Sequence, residues 1–246
     1  MKYLTRLSLE VQFKAALSTI LRGLDFPAIK FLHVRAIAGH HTAFSIAPEG
    51  RPFTEVIQHD LPFFTQLKTL CLTRVNISDE DLRSLLRLTT WLQHLCVLKG
   101  VDANISWFED CRDLVSFLTI DKAGIKNVVD FPPPLPHLQT LKLYHSRVSS
   151  PNHSSPAAYG NLARSRFSWM VRQTETNSQL QNDNRVNSPP FEMHLSVEWE
   201  NRDVYECIKR SIEDELGSTY ASLLRVKVCR AGSLENVVET EDVPFK

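Results

Sequence analysis

The chain has 246 residues, 43% of them hydrophobic, which is enough for one large core in a single domain. Lys plus Arg and Asp plus Glu both number 28, so the net charge is zero, and no global field draws the protein to nucleic acid or an acidic membrane. No apolar run approaches the ~18–20 residues of a membrane span, the opening MKYLTRLSLEVQF makes a poor signal peptide, and five cysteines without close pairing fit a reduced cytoplasmic or nuclear compartment.

Taken in order, the chain starts on an extended phrase, Leu4-x-x-Leu7-x-Leu9. It has no polar cap before it, which solenoid ends normally need. The expectation is a fragment, a truncated product, or a first turn covered by a partner. Lys14 to Leu24 follows as a return helix, with Leu17, Ile20, Leu21 and Leu24 at helical spacing. Asp25-Phe26-Pro27 ends it and leads to a second phrase, Ile29-x-x-Leu32-x-Val34. The next turn is longer, with a loop over Gly39 to Arg51 and a short helix opened by Pro52.

The phrase then returns at Leu67 (LKTLCL), Leu92 (LQHLCV), Val115 (VSFLTI) and Leu138 (LQTLKL), with starts 25, 23 and 23 residues apart. A period in the twenties marks a solenoid whose turns each contribute one short strand. The strict Leu-x-x-Leu-x-Leu form occurs three times, at Leu4, Leu67 and Leu138, where chance predicts roughly half a match. Asp60-Leu61-Pro62 and Asp130-Phe131-Pro132 repeat the Asp-apolar-Pro device ahead of two of these strands, since proline stops a helix and biases its predecessor toward extended backbone. Leu82, Leu85 and Leu86 form the buried stripe of a third-turn helix; Ile105, Phe108 and Cys111 form a short fourth one. In the fifth turn Val128 to Pro136 replaces the helix, its proline run being either a rigid connector or a ligand for a proline-binding domain.

Residues 150–190 are rich in Ser, Asn, Gln and Pro and read as a flexible insertion, with room for a short helix around 160–172. A repeat-like strand, helix and strand follow over 191–230, then a frayed acidic tail over 231–246.

The stretch Leu67 to Ile77 (LKTLCLTRVNI) resembles the leucine-rich repeat, and the period resembles the intracellular ribonuclease-inhibitor-like and F-box-associated arrays. The resemblance covers roughly residues 1–150 well and 190–230 loosely. The polar residue the family carries eight positions after each start is absent, with Val75, Gly100, Ala123 and Ser146 there instead. It implies an α/β horseshoe with a parallel concave sheet and irregular convex helices. It also implies a non-catalytic module that holds a protein partner, as in the substrate-recognition part of an F-box-type ubiquitin ligase. No F-box-like segment precedes Leu4, so the expectation is an adaptor-binding element that is missing or supplied elsewhere.

In such a solenoid the residues between the core leucines form ladders on the concave face. The expected partner-binding set is Arg6, Phe31, His33, Arg35, Thr69, Cys71, His94, Cys96, Phe117, Thr119, Asp121, Lys142 and Tyr144. Aromatic, His and Arg side chains on one continuous face are what protein interfaces use as anchors; the plainer reading is that these are the solvated strand positions of any such fold. Cys71, Cys96, His94 and His33 lack the close spacing of zinc ligands, and His40-His41 has no second half. Arg164, Arg166 and Arg172 around Phe167 and Trp169 could meet an acidic partner or RNA, but Glu175 and Asp183 lie nearby.

No phosphate loop, nucleophile elbow or His-Glu-x-x-His motif is present, so no catalytic residue, metal or cofactor is expected. Two alternatives stand beside the ligase reading: a scaffold or inhibitor unrelated to ubiquitin, and an α/β enzyme whose phrases are ordinary parallel strands.

Overall fold

The structure, a computed structural model, describes residues 2–11, 16–36, 46–47, 51–73, 75, 77, 79–98, 112–120, 133–145, 156–180, 191–198, 202–216 and 224–229. Seven strands form one sheet: β1 (Arg6–Val11), β2 (Phe31–Ala36), β3 (Thr69–Thr73), β4 (His94–Leu98), β5 (Thr140–His145), β6 (Glu192–Glu198) and β7 (Leu224–Cys229). They lie side by side in sequence order, and each pair is parallel. Every crossover therefore steps in the same direction. With the right-handed connection that parallel strands take, the described connecting helices fall on one face of the sheet.

That face is the leucine face. Leu32 and Val34, Leu70 and Leu72, Leu95 and Val97, Leu141 and Leu143, and Met193 and Leu195 are buried in a common core. Helices α1 (Leu17–Leu21), α2 (Phe53–His59) and α3 (Asp79–Leu88) supply Leu17, Leu21, Ile57, Leu82, Leu85 and Leu86 to the same core. The first return helix is shorter than its apolar spacing predicts. It stops before Gly23 at φ 75, and Ile20 and Leu24 face solvent.

The entries to β2, β3, β4 and β5 are built the same way, which is why the phrase recurs. Ile29, Leu67, Leu92 and Leu138 each donate their amide to the carbonyl three residues back. The next two amides then converge on one carbonyl of the preceding turn: Lys30 and Phe31 on Thr5, Lys68 and Thr69 on Lys30, Gln93 and His94 on Lys68, Gln139 and Thr140 on Gln93. Trp91 and His137, one place before Leu92 and Leu138, stack with ring centroids 5.0 Å apart.

Two expectations fail. Val115 to Ile120 is not a rung: Arg112–Leu118 is helix α4, and β4 pairs directly with β5. Leu7, Leu32, Leu70, Leu95, Leu141, Met193 and Leu224 share one level of the sheet, so successive turns span 25, 38, 25, 46, 52 and 31 residues. The 46-residue turn is twice 23, and an apolar helix at its midpoint mimics a strand phrase. Leu114, Val115 and Leu118 are the buried side of that helix, and a run this short satisfies either period.

Nor is 150–190 a flexible insertion throughout. Pro156–Leu180 is a 25-residue helix, α5, packed against α4 and α6 (Arg202–Leu216). Gly160 lets α5 and α6 approach closely, for a Cβ there would lie 2.8 Å from the Ser211 carbonyl oxygen, and Arg164 bridges to Glu215 at 3.1 Å. Tyr159, Leu162 and Ala163 join the core. Composition misjudged the segment because its buried face also includes polar groups, which are satisfied in place. Arg166, 1% exposed, donates from Nε to Leu118 O (2.7 Å), from Nη1 to Leu135 O (2.9 Å) and from Nη2 to Pro134 O (2.7 Å). Trp169 Nε1 donates to Pro136 O at 3.1 Å. The carbonyls of Pro134, Leu135 and Pro136 are thus taken up internally, which suits a connector better than an offered ligand. The same contacts remove Arg166 from any basic surface.

His40, His41, Ile105, Phe108, Asp130 and the 231–246 tail lie outside the described residues. Among the described residues no helix is long and apolar enough to cross a membrane.

Candidate protein-binding face

Alternation along a strand sends every second side chain to the face opposite the leucines. Register then stacks these positions into three ladders. The first runs Arg6, Phe31, Thr69, His94, Thr140, Glu192; the second Ser8, His33, Cys71, Cys96, Lys142, His194, Arg225; the third Glu10, Arg35, Thr73, Leu98, Tyr144, Ser196, Lys227. Ten of the expected residues fall here: Arg6, Phe31, His33, Arg35, Thr69, Cys71, His94, Cys96, Lys142 and Tyr144.

Phe117 and Thr119 do not. Phe117 is on α4, packed against the core with the Arg87 guanidinium 5.7 Å from its ring centroid. Thr119 donates its hydroxyl to Val115 O at 2.7 Å, closing the end of α4. Both were assigned to the face through the mistaken rung. Asp121 lies outside the described residues. Glu192 and His194 on β6 take the vacated places. Their strand alternates clearly, but no sequence signal shows that β6 abuts β5 across the residues between them.

Exposure on the face falls from the edge strand inward. On β1, Arg6, Ser8 and Glu10 are exposed; on β2, Phe31, His33 and Arg35 are half-buried; on β3, Thr69, Cys71 and Thr73 are buried. The β3 side chains are short beside Phe31, His33 and Arg35 on β2 and His94 on β4, so β3 is the floor of a furrow along the strand. Arg6 places its guanidinium 4.5 Å from the Phe31 ring centroid, a cation–π contact, and Arg35 meets Glu10 at 3.5 Å. His33, on the β2 side of the furrow, links β1 to β3, with Nδ1 3.3 Å from Ser8 Oγ and Nε2 3.2 Å from Thr73 Oγ1. His194 Nε2 lies 3.4 Å from Glu192 Oε2.

The two central histidines are biased toward the neutral ring. Burial pushes His33 below the ordinary histidine value and Arg35 adds to this, with Glu10 opposing. Burial does the same for His94, helped by Lys142 and opposed by Glu192. A neutral imidazole can donate and accept at once, which suits peptide recognition. Among the described residues no group of three His, Cys, Asp or Glu side chains is arranged to hold a metal ion.

No family model, curated protein or solved structure matches this chain. The face is therefore read from its own chemistry: a cation and an aromatic at one end, hydrogen-bonding rings across a furrow, and mixed charge beyond.

Proposed function

We propose that the chain is a leucine-rich-repeat module that holds a protein partner on the ladder face. The observation that carries this is the register itself. It gathers Arg6, Phe31, His33, Arg35, His94 and Lys142 from four strands onto one continuous surface while the helices pack on the other side. An extended or loop segment of a partner would lay its backbone along the furrow, meeting the His rings with hydrogen bonds and Phe31 with an apolar side chain. The recurrent entry turns, with paired amides on one carbonyl, support a repeat solenoid. The unreversed strand order favours binding over catalysis, because doubly wound enzymes place ligands where the order switches direction.

Selecting substrates for a ubiquitin ligase is the narrower form of the proposal. It rests on the resemblance of Leu67 to Ile77 to F-box-associated repeats. A scaffold or inhibitor unrelated to ubiquitin is the other form.

Affinity capture from cell lysate would compare the natural chain with Arg6→Glu/Lys142→Glu and with Lys209→Ala on the exposed side of α6 as control. The proteins that depend on the ladder face should vanish with the double variant and persist with the control. An identical set from all three baits would refute the reading. Recovery of ubiquitin-ligase adaptors would select the narrower form.

A further inference from the structure

Cys71 on β3 and Cys96 on β4 stand directly opposite each other in the second ladder, on hydrogen-bonded parallel strands. Paired strands lie ~4.8 Å apart, inside the ~4.4–6.8 Å between Cα atoms that a disulfide spans. Both side chains project from the same face, and both are free thiols. Lys142, next in the ladder after Cys96, brings its positive charge to bear on the pair.

We propose that Cys71 and Cys96 form a hydroperoxide-reactive dithiol, a modification site at the centre of the sheet. The thiolate is the nucleophilic form, and the positive charge of Lys142 beside the pair favours it on either sulfur.

The chemistry balances with the oxidant as the only co-reactant. The thiolate of one cysteine attacks one oxygen of the peroxide, the O–O bond breaks, and an alcohol or water leaves with a proton, giving a sulfenic acid. The sulfur of the other cysteine then attacks the sulfenic sulfur; the S–O bond breaks and water leaves with the second thiol's proton. Two thiols lose two electrons and two protons in total, and the peroxide takes them up. Cys71 is 8% exposed and lies in the furrow, a position that admits a small oxidant and disfavours a protein thiol.

The test is to treat the full reduced chain with hydrogen peroxide, block remaining thiols under denaturing conditions, and map tryptic peptides. Cys71 and Cys96 fall in different peptides, 69–74 and 88–99, so a bridge is read directly as their cross-linked mass. The expected result is that species, reversed by dithiothreitol. In Cys96→Ser and in Cys71→Ser, a 1,3-dicarbonyl sulfenic-acid probe should label the one cysteine of the pair that remains. The proposal is overturned if peroxide oxidises the exposed Cys207 while 69–74 and 88–99 stay unlinked. Because the natural chain supplies the main readout, misfolding of either variant would not rescue the idea.

Discussion

Arg166 Nε donates to the carbonyl of Leu118 at 2.7 Å, and Leu118 is the last residue of α4. The guanidinium therefore meets the carbonyl end of a helix, where positive charge is favoured, and its other two donors fasten the Pro134–Leu135 segment. Leu135 sits in the left-handed region at φ 50, an uncommon place for a leucine, and its carbonyl accepts from both Arg166 and the Leu138 amide. Burial pushes the Arg166 guanidinium down to about 9, which still leaves it a cation at neutral pH. One side chain thus links α4, the proline run and α5.

Replacing it should show this. Arg166→Met keeps much of the apolar volume but leaves three carbonyls without their donor, at about 1–3 kcal/mol for each buried group left unsatisfied. The expected loss is about 3 kcal/mol or more in urea denaturation. Arg166→Lys should recover less than half of it, because an ammonium cannot reach the acceptors with a planar fork. A loss under about 1 kcal/mol for Met would mean that the three carbonyls find water instead.

Phe31 and Phe117 separate face from core. Phe31→Ala removes a half-buried ring on the ladder face and its contact with Arg6, worth about 0.5–1 kcal/mol. Phe117→Ala removes a ring packed against the leucine core, worth about 2–3 kcal/mol. Thermal unfolding should rank Phe117→Ala as clearly the less stable, while partner capture should suffer for Phe31→Ala. The opposite ranking in stability would place Phe31 among the core residues.

Acid should loosen the protein before its carboxylates titrate. His33 and His94 hold folded values below 6.5, so between those values and 6.5 the unfolded chain binds more protons than the folded one. Their contribution to stability is complete above 6.5 and is lost as pH falls through the folded values. Calorimetry should give a melting temperature that is level above neutrality and declines below pH 6.5, with His33→Gln/His94→Gln flattening the decline. An unchanged slope in the double variant would assign the acid sensitivity to other groups.

By itself the sequence determined that this is a run of short parallel rungs. The phrases at Leu4, Ile29, Leu67, Leu92 and Leu138 became strands in that order, since a Leu-x-x-Leu-x-Leu pattern offers one buried edge that only a neighbouring turn can cover. Because side chains alternate strictly along a strand, ten residues of the face were legible from the same phrases. What only the tertiary structure decided is where periodicity and composition stop discriminating. Val115 to Leu118 fits a strand or a helix equally well, and packing against α5 chose the helix. Residues 156–180 look too polar to fold until Arg166, Ser165 and Trp169 find their partners in Leu118, Ile120, Leu135 and Pro136, and those partners lie 31 to 48 residues away in the chain. A local pattern reports what a segment can bury; it does not report which distant carbonyls will satisfy a buried cation, and that long-range pairing makes α5 part of the fold.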